Sequence, residues 1–239
     1  MIRGFYAAAS GMQVQQNNLN TIANNMANVS TTAFKPQQTS FADMLYETTK
    51  APLGTVSYGS GVKTNGVVTN FVQGDLTKTD IEKDCALMGP GFFAVQDKLS
   101  GTVFYTRDGS FKTGMEASSS YLVNAAGDYV LDAAKAKISL AKDPVTGMGA
   151  YDPSKIGIFN IPNIYALKQV GGNKYSAGED AGTVEKSLNT TIHPGYLESS
   201  AVDISIEMVK VIEASKAFSF NSRIIQTADE IEKTINQLR

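Results

Sequence analysis

The chain has 239 residues, and its 42% hydrophobic content is enough to bury one large core or two modest ones. The 21 Lys and Arg residues nearly balance the 23 Asp and Glu residues, and there is no basic block, so a nucleic-acid partner is not expected. A single cysteine excludes an internal disulfide, and one cysteine with one histidine cannot by themselves build the usual zinc cage.

The N-terminal residues predict neither a cleaved secretion signal nor a membrane anchor. Residues 1–12 contain one Arg, followed by Gly, Ala, Ser and Gln, without an uninterrupted apolar segment or a small-residue cleavage site. The longest apolar runs are far shorter than the roughly 20 residues that a membrane-spanning helix needs. We therefore expect a soluble protein, or one exported by a route without a cleaved signal, and no direct membrane insertion.

The first predicted element is an amphipathic helix between Gly4 and Val29. Its other faces are rich in Gln and Asn, and because Asn is a mediocre helix former, we expect this helix to be marginal by itself. Its apolar stripe repeats at every seventh position: Phe5, Met12, Leu19 and Met26.

A connector and a β-rich region follow the first helix. We expect the connector, residues 30–51, to carry a short helical turn. Glycine and β-forming residues then dominate from about Gly54 to Pro194, and two hairpin turns are predicted at 107–109 and 126–128. The candidate strands are Gly66–Phe71, Phe92–Val95, Val103–Thr106, Tyr121–Val123, Tyr129–Leu131 and Ile156–Ile161.

The last predicted element is a longer amphipathic helix from Ala201 to Leu238, without Gly or Pro. Acidic residues near its start support this position for the N-terminus, because negative charge interacts favourably with the positive end of the helix dipole. Two adjacent heptad lines form a wide apolar face, one with Ala217, Ile224, Ile231 and Leu238 and the other with Ile204, Val211, Phe218 and Ile225.

These elements predict an α+β fold in which N- and C-terminal amphipathic, coiled-coil-like helices flank a mainly antiparallel β domain. The predicted divisions are an N-terminal assembly helix and connector at 1–50, a central β-rich domain at 51–197 and a C-terminal assembly helix at 198–239.

The terminal stripes favour self-assembly. The alternative is that the two helices pack on the β domain of the same chain, as most amphipathic helices do. However, a stripe of five heptads is longer than one medium β domain can cover, since globular helices typically run roughly 8 to 20 residues. The predicted assembly contacts are Phe5, Met12, Leu19, Met26, Phe218, Ile224, Ile225, Ile231 and Leu238.

No residue pattern indicates catalysis, a metal or a cofactor. His193 has no nucleophile or carboxylate placed near it, and Cys85 is expected to be a small buried side chain. The acidic residues between Asp75 and Asp84 lack the spacing of a Ca²⁺ loop. We therefore predict that the chain is not an enzyme and binds no cofactor or metal.

Residues 24–35, Asn-Asn-Met-Ala-Asn-Val-Ser-Thr-Thr-Ala-Phe-Lys, strongly resemble the N-terminal signature of bacterial flagellar rod and hook proteins. The pattern in that family is Asn-Asn-x-Ala-Asn-x-x-Thr-x-Gly-Phe-Lys, and this chain has Ala33 where the family usually has Gly. Further similar segments occur in the order typical of that family and cover essentially the whole chain. They lie at residues 1–3, 10–12, 89–93, 105–111, 195–198, 202–203 and 225–230.

The resemblance implies a structural subunit of the flagellar basal-body rod, exported through the flagellar type III apparatus and stacked helically into the shaft that transmits torque from motor to hook. Other rod and hook proteins would be its partners. A distal rod subunit is favoured over a proximal one, and over the hook protein, which is usually longer. From other classes, a peptidoglycan-processing enzyme would need two carboxylates across a cleft, and an adhesin would use the β domain alone.

Overall fold

The computed structural model describes residues 2–51, 54–116, 119–142, 149–150, 152–187 and 189–238. Met1, which belongs to the N-terminal motif, lies outside these residues. The chain folds into two compact units, which interleave in sequence. Unit 1 contains Met1–Val29, Pro36–Asn70 and Val202–Arg239, and unit 2 contains Ser30–Lys35 and Phe71–Ala201.

Unit 1 contains both long helices. Its elements are α1 (Ile2–Ala27), β1 (Gln37–Asp43), β2 (Tyr46–Ala51), β3 (Gly54–Gly59), β4 (Val62–Thr69) and α2 (Ile204–Gln237). Strand β1 pairs antiparallel with β4, and β2 pairs antiparallel with β3. Among the described residues, neither helix is apolar enough over a sufficient length to cross a membrane.

The prediction of a helical turn in the connector is wrong. Residues 37–51 form strands β1 and β2 instead, and β1 reaches its partner β4 across an intervening hairpin. Local propensity could not show this pairing, because the hydrogen bonds that stabilise β1 come from residues about 20 to 30 positions later in the chain.

The C-terminal helix begins three residues later than predicted, at Ile204, because Asp203 is its N-cap. The Asp203 side chain accepts hydrogen bonds from the backbone N–H groups of Ser205 at 2.8 Å and Ile206 at 3.4 Å. These are donors that the first turn of a helix leaves without intrahelical partners. The cap and the absence of Gly and Pro together explain the long, uninterrupted α2.

Unit 2 is built almost entirely from strands. They are β5 (Leu76–Lys78), β6 (Cys85–Met88), β7 (Phe92–Gln96), β8 (Val103–Thr106), β9 (Lys112–Glu116), β10 (Ser119–Val123), β11 (Tyr129–Val130), β12 (Ser139–Lys142), β13 (Gly149–Ala150), β14 (Ile158–Asn160), β15 (Leu167–Gly171), β16 (Lys174–Ala177), β17 (Glu185–Lys186), β18 (Thr191–Pro194) and β19 (Tyr196–Glu198). Every pairing between described strands is antiparallel, which confirms the predicted α+β class.

The main sheet of unit 2 is buried on both faces around β7. Its main path, as far as the described residues show, runs β13-β12-β10-β11-β7-β8-β16-β15. Successive side chains of a strand point to opposite faces. Phe93 and Val95 therefore enter one core cluster, whereas Phe92 and Ala94 enter the other. A continuous apolar run such as 92–95 is typical of a strand covered on both sides.

One predicted hairpin is confirmed and the other is wrong. Residues 126–128 lie in the turn between β10 and β11, whose Val123 and Tyr129 are paired. Residues 107–109 follow β8, but β8 pairs with β7 and β16 and not with the next strand, β9. The Asp-Gly sequence is instead a bend at which Gly109 contacts Cys85, since an added Cβ would lie 1.7 Å from the Cys85 carbonyl oxygen.

Candidate assembly surfaces

The helices α1 and α2 of unit 1 pack against each other. The buried residues of α1 include Ala8, Gly11 and Val14, and α2 contributes Ala214. A Cβ added at Gly11 would lie 2.8 Å from Nδ2 of Asn221, so the two helices approach closely there. The seam between the two helices is therefore close at Gly11, a small residue beside the predicted stripe.

All nine predicted assembly residues lie outside the fully buried seam. Phe5 is 40% exposed, Ile224 49%, Ile231 47% and Leu238 84%. The other five are partly buried: Met12, Leu19, Met26, Phe218 and Ile225. Their role as contacts between subunits stays a prediction, but their side chains retain apolar surface that a second chain could cover.

The sequence pattern missed further exposed apolar side chains on the same two helices: Tyr6, Ile206, Met208, Val209, Ile212, Phe220 and Ile235. Phe220 and Ile235 fall on the same side of α2 as Ile224, Ile231 and Leu238, because spacings of three, four and seven residues return to one helix face. Apolar residues at spacings of three and four, in addition to the lines at every seventh position, could have identified them. The result is an apolar face along the C-terminal half of α2.

Exposed apolar side chains that were not predicted also lie on the strands of unit 1 and in the turn between β1 and β2. They are Phe41, Met44, Leu45, Tyr46, Tyr58, Val67 and Val68. Unit 1 thus exposes apolar side chains on both its helices and its strands.

Asn25, the second residue of the resemblance motif, joins three elements of unit 1. Its side-chain amide donates to the carbonyl oxygen of Gln37 at 2.8 Å and accepts from the Gln37 N–H at 2.9 Å, so it extends the start of β1. The same amide donates to the carboxylate of Glu207 on α2 at 3.3 Å. Asn25 and Glu207 are both almost fully buried. Lys210 completes the network with a 2.6 Å bond to Glu207.

We expect Asn25→Ala to lower the unfolding free energy of unit 1 by about 2 to 3 kcal/mol, because it removes the partners of a backbone N–H, a backbone C=O and a buried carboxylate. Asn24→Ala is the matched control, since Asn24 is exposed on the adjacent position of the same helix. Hydrogen exchange of the α1 amides measures both variants. Equal exchange in the two would show that the Asn25 network contributes no stability.

Among the described residues of unit 2, the chemistry-bearing side chains do not form a catalytic constellation. His193 lies in β18 with its ring edge-to-face on Tyr196, 6.3 Å between centroids. Cys85 is fully buried, as predicted. Among the acidic residues between Asp75 and Asp84, Asp84 is buried and accepts a hydrogen bond from the Thr79 hydroxyl at 2.7 Å. The described residues hold no group of three His, Cys, Asp or Glu side chains suited to a metal.

Two carboxylates do share one surface pocket, which is the arrangement that the hydrolase alternative requires. Asp80 and Glu82 line it together with Pro153, Pro194 and Gly195. A general acid in glycoside hydrolysis is typically held in an apolar setting. Both carboxylates here are exposed, and Asp80 forms a 2.7 Å ion pair with Lys78. The pocket therefore lacks the environment that such chemistry uses.

Three family models match successive parts of the chain. "Flagella basal body rod protein" matches residues 5–35, "Flagellar hook protein FlgE/F/G D1 domain" matches 86–165, and "Flagellar basal body rod FlgEFG protein C-terminal" matches 193–238. The three matches lie in the N-terminal, central and C-terminal parts of the chain, in the order of the motifs noted above.

Full-length relatives agree with these matches. The flagellar basal-body rod protein FlgG of Buchnera aphidicola subsp. Schizaphis graminum is 33% identical over the whole of both chains. FlgG of Borreliella burgdorferi is 34% identical over 100% of this chain and 99% of its own length. FlgF of Caulobacter vibrioides is 30% identical over 98% of this chain and 96% of its own. The chain therefore belongs to the flagellar basal-body rod protein family.

Proposed function

We propose that the chain is a structural subunit of the flagellar basal-body rod that assembles helically with copies of itself into the tubular shaft transmitting torque from motor to hook. Full-length similarity to basal-body rod proteins supports the assignment of the chain to the rod. The chain would act by binding its neighbours and would have no enzymatic activity.

The observation that carries this proposal is the exposed apolar face of α2. Phe220, Ile224, Ile231, Ile235 and Leu238 remain exposed in the single chain, although α2 already packs against α1. Covering each half-exposed side chain would contribute about 1 kcal/mol, by the usual apolar-area relation. A face of this length is unfavourable in a monomer and favourable between subunits.

We favour the distal rod over the proximal rod. Several of the full-length relatives are named FlgG, including those of Buchnera, Borreliella and Bacillus subtilis, and the FlgF relative is similar at a comparable level. A proximal, FlgF-like role is the alternative. Deletion of the gene followed by complementation, with the length of the rod scored in isolated basal bodies, distinguishes the two.

The proposed partners follow from the same role. They are further copies of this chain, other rod and hook proteins, and the flagellar export apparatus that would deliver the chain without a cleaved signal peptide. The location would be the basal body, within the periplasm or the cell-wall layer. Neither a nucleic acid nor direct insertion into a membrane is part of the proposal.

The test is whether the purified full-length protein forms filaments or short stacks visible by electron microscopy. We expect stacks above a critical concentration, because the apolar faces of α2 then find partners. Protein that stays monomeric at every concentration and ionic strength, both alone and with rod and hook proteins, would contradict the proposal. A turnover assay on cell-wall material addresses the hydrolase alternative, and we expect no product.

A further inference from the structure

Three charged side chains of unit 2 form a buried cluster. Nζ of Lys35 lies 2.5 Å from Oε1 of Glu198, and Nη1 of Arg107 lies 3.4 Å from Oε2 of the same carboxylate. The side chains of Lys35 and Glu198 are 0% exposed and that of Arg107 is 6% exposed. Glu198 therefore faces two cations in a site that water does not reach.

Backbone carbonyl groups stabilise the excess positive charge of this cluster. Lys35 donates to the Val72 carbonyl at 2.6 Å, and Arg107 donates to the carbonyls of Gly89 at 2.6 Å and Gly91 at 3.0 Å. Burial lowers the pKa of Lys35, and the charge of Glu198 opposes that shift. The two cations are thus held by one carboxylate and by fixed backbone dipoles.

Backbone hydrogen bonds extend the cluster to three chain segments. Glu198 accepts from the Ala33 N–H through its own carbonyl at 2.8 Å, and from the Gly74 N–H through its side chain at 2.8 Å. The Ala201 N–H donates to the carbonyl of Phe34 at 3.1 Å. Segments 30–35, 71–74 and 198–201 are therefore tied to each other around one carboxylate.

These three segments are the ones through which the chain enters and leaves unit 2. Residues 30–35 have unit 1 residues on both sides in the sequence, residue 71 follows a unit 1 segment and residue 201 precedes one. The backbone within the first segment is also constrained, since Ala33 has φ +55°, a conformation that costs an Ala roughly 1 to 2 kcal/mol and needs surrounding support. All four points at which the chain enters or leaves unit 2 thus belong to segments that this buried cluster ties together.

The cluster also joins the three parts of the chain that the family models recognise separately. Lys35 is the last residue of the N-terminal match, Arg107 lies within the central match and Glu198 lies within the C-terminal match. Each match contributes one charged side chain. Charged side chains are rarely buried in a protein core unless they are paired. A role shared by these three residues explains why they are buried together.

We propose that Lys35, Arg107 and Glu198 form a positioning clamp that holds the three entry and exit segments of unit 2 together as one cooperative element. Without the clamp, the β core stays folded but the segments separate from it. The clamp lies within unit 2 and does not depend on the proposed rod function. A failure of rod assembly and a failure of the clamp are therefore separate results.

Native-state hydrogen exchange on the full-length monomer tests the clamp directly. The amides of Ala33, Gly74 and Ala201 are far apart in sequence but share the cluster, so we expect one common opening free energy with a common denaturant dependence. Unrelated opening free energies at the three amides would overturn the proposal. This measurement needs no variant, so it does not depend on a mutant that folds.

Lys35→Met then identifies the ionic part of the clamp. We expect exchange at the same three amides to rise together by at least about tenfold, which is the effect of losing one hydrogen bond to a charged group, while the amides of Phe93 and Val95 in β7 stay protected. Lys168→Met, at an exposed position of β15, is the control and should change none of them. A uniform rise throughout β7 and the clamp, or no rise at all, would contradict the inference.

Discussion

Replacing Glu198 with Gln should lower the free energy of opening of the entry and exit segments of unit 2 by about 3 to 5 kcal/mol, the range measured when one partner of a buried ion pair is removed. Gln has nearly the same shape as Glu, so packing is preserved and the loss is electrostatic. Two buried cations, Lys35 and Arg107, would then face each other without the carboxylate that both contact. Exchange of the Ala33 and Ala201 amides under mild denaturant measures the change, and the β7 amides should stay protected.

A double-mutant cycle separates the ionic contribution from packing. Lys35→Met should cost less than Glu198→Gln, because it leaves the pair between Arg107 and Glu198 intact and removes a cation that is costly to bury. Adding Lys35→Met to Glu198→Gln should therefore recover part of the lost stability. Glu185→Gln, at an exposed position of β17, is the control and should stay within about 0.5 kcal/mol of the wild type.

Two outcomes would contradict this account. If Glu198→Gln changed the opening free energy of the entry and exit segments by less than about 1 kcal/mol, the carboxylate would not be holding two charged partners in the native state. If the two substitutions were strictly additive, the lysine and the glutamate would act independently despite their 2.5 Å separation.

The sequence predicted those parts of the fold that depend on local pattern. The long α2 follows from heptad spacing without Gly or Pro, and β7 follows from the unbroken apolar run at 92–95. Strand β1 was missed because its hydrogen-bond partners lie about 20 to 30 residues later in the chain, in β4. Sequence reasoning is weakest where the partner of a segment is distant.

The close α1 and α2 seam was also beyond what periodicity could show. Heptad lines identify large apolar residues, but the helices also approach closely at Gly11, beside Asn221, where the absence of a side chain matters. The large residues of the predicted stripe are partly exposed as a result. Periodicity thus identified apolar faces correctly but could not show which one the chain would cover itself.

The sequence did not predict the buried cluster, although its three residues lie in segments that the resemblance identified. Lys35, Arg107 and Glu198 all lie within segments that resemble rod and hook proteins, yet they are 72 and 91 residues apart in the chain, by subtraction of their numbers. Nothing in charge or spacing indicates that they meet. The fold was required to bring a lysine, an arginine and a glutamate into one site that excludes water.

Ile231→Asp should abolish stacking of the full-length protein or raise its critical concentration by about two orders of magnitude. Burial of Ile231 in an interface would be worth about 1 kcal/mol, and an unpaired carboxylate in its place adds a desolvation cost of several kcal/mol. The monomer should keep its helical content, because Ile231 is 47% exposed in the single chain and lies beyond the buried part of the α1 seam. Sedimentation and electron microscopy across a concentration series measure the change.

Gln226→Asp is the matched control for this experiment. It adds the same charge to an exposed position of α2 but removes no apolar surface, so it should leave the critical concentration within a few fold of the wild type. Ile231→Leu, which preserves the apolar volume, should also assemble. Normal stacking by Ile231→Asp would remove this residue from the assembly surface. Equal loss in both Asp variants would mean that net charge, and not the apolar face of α2, controls assembly.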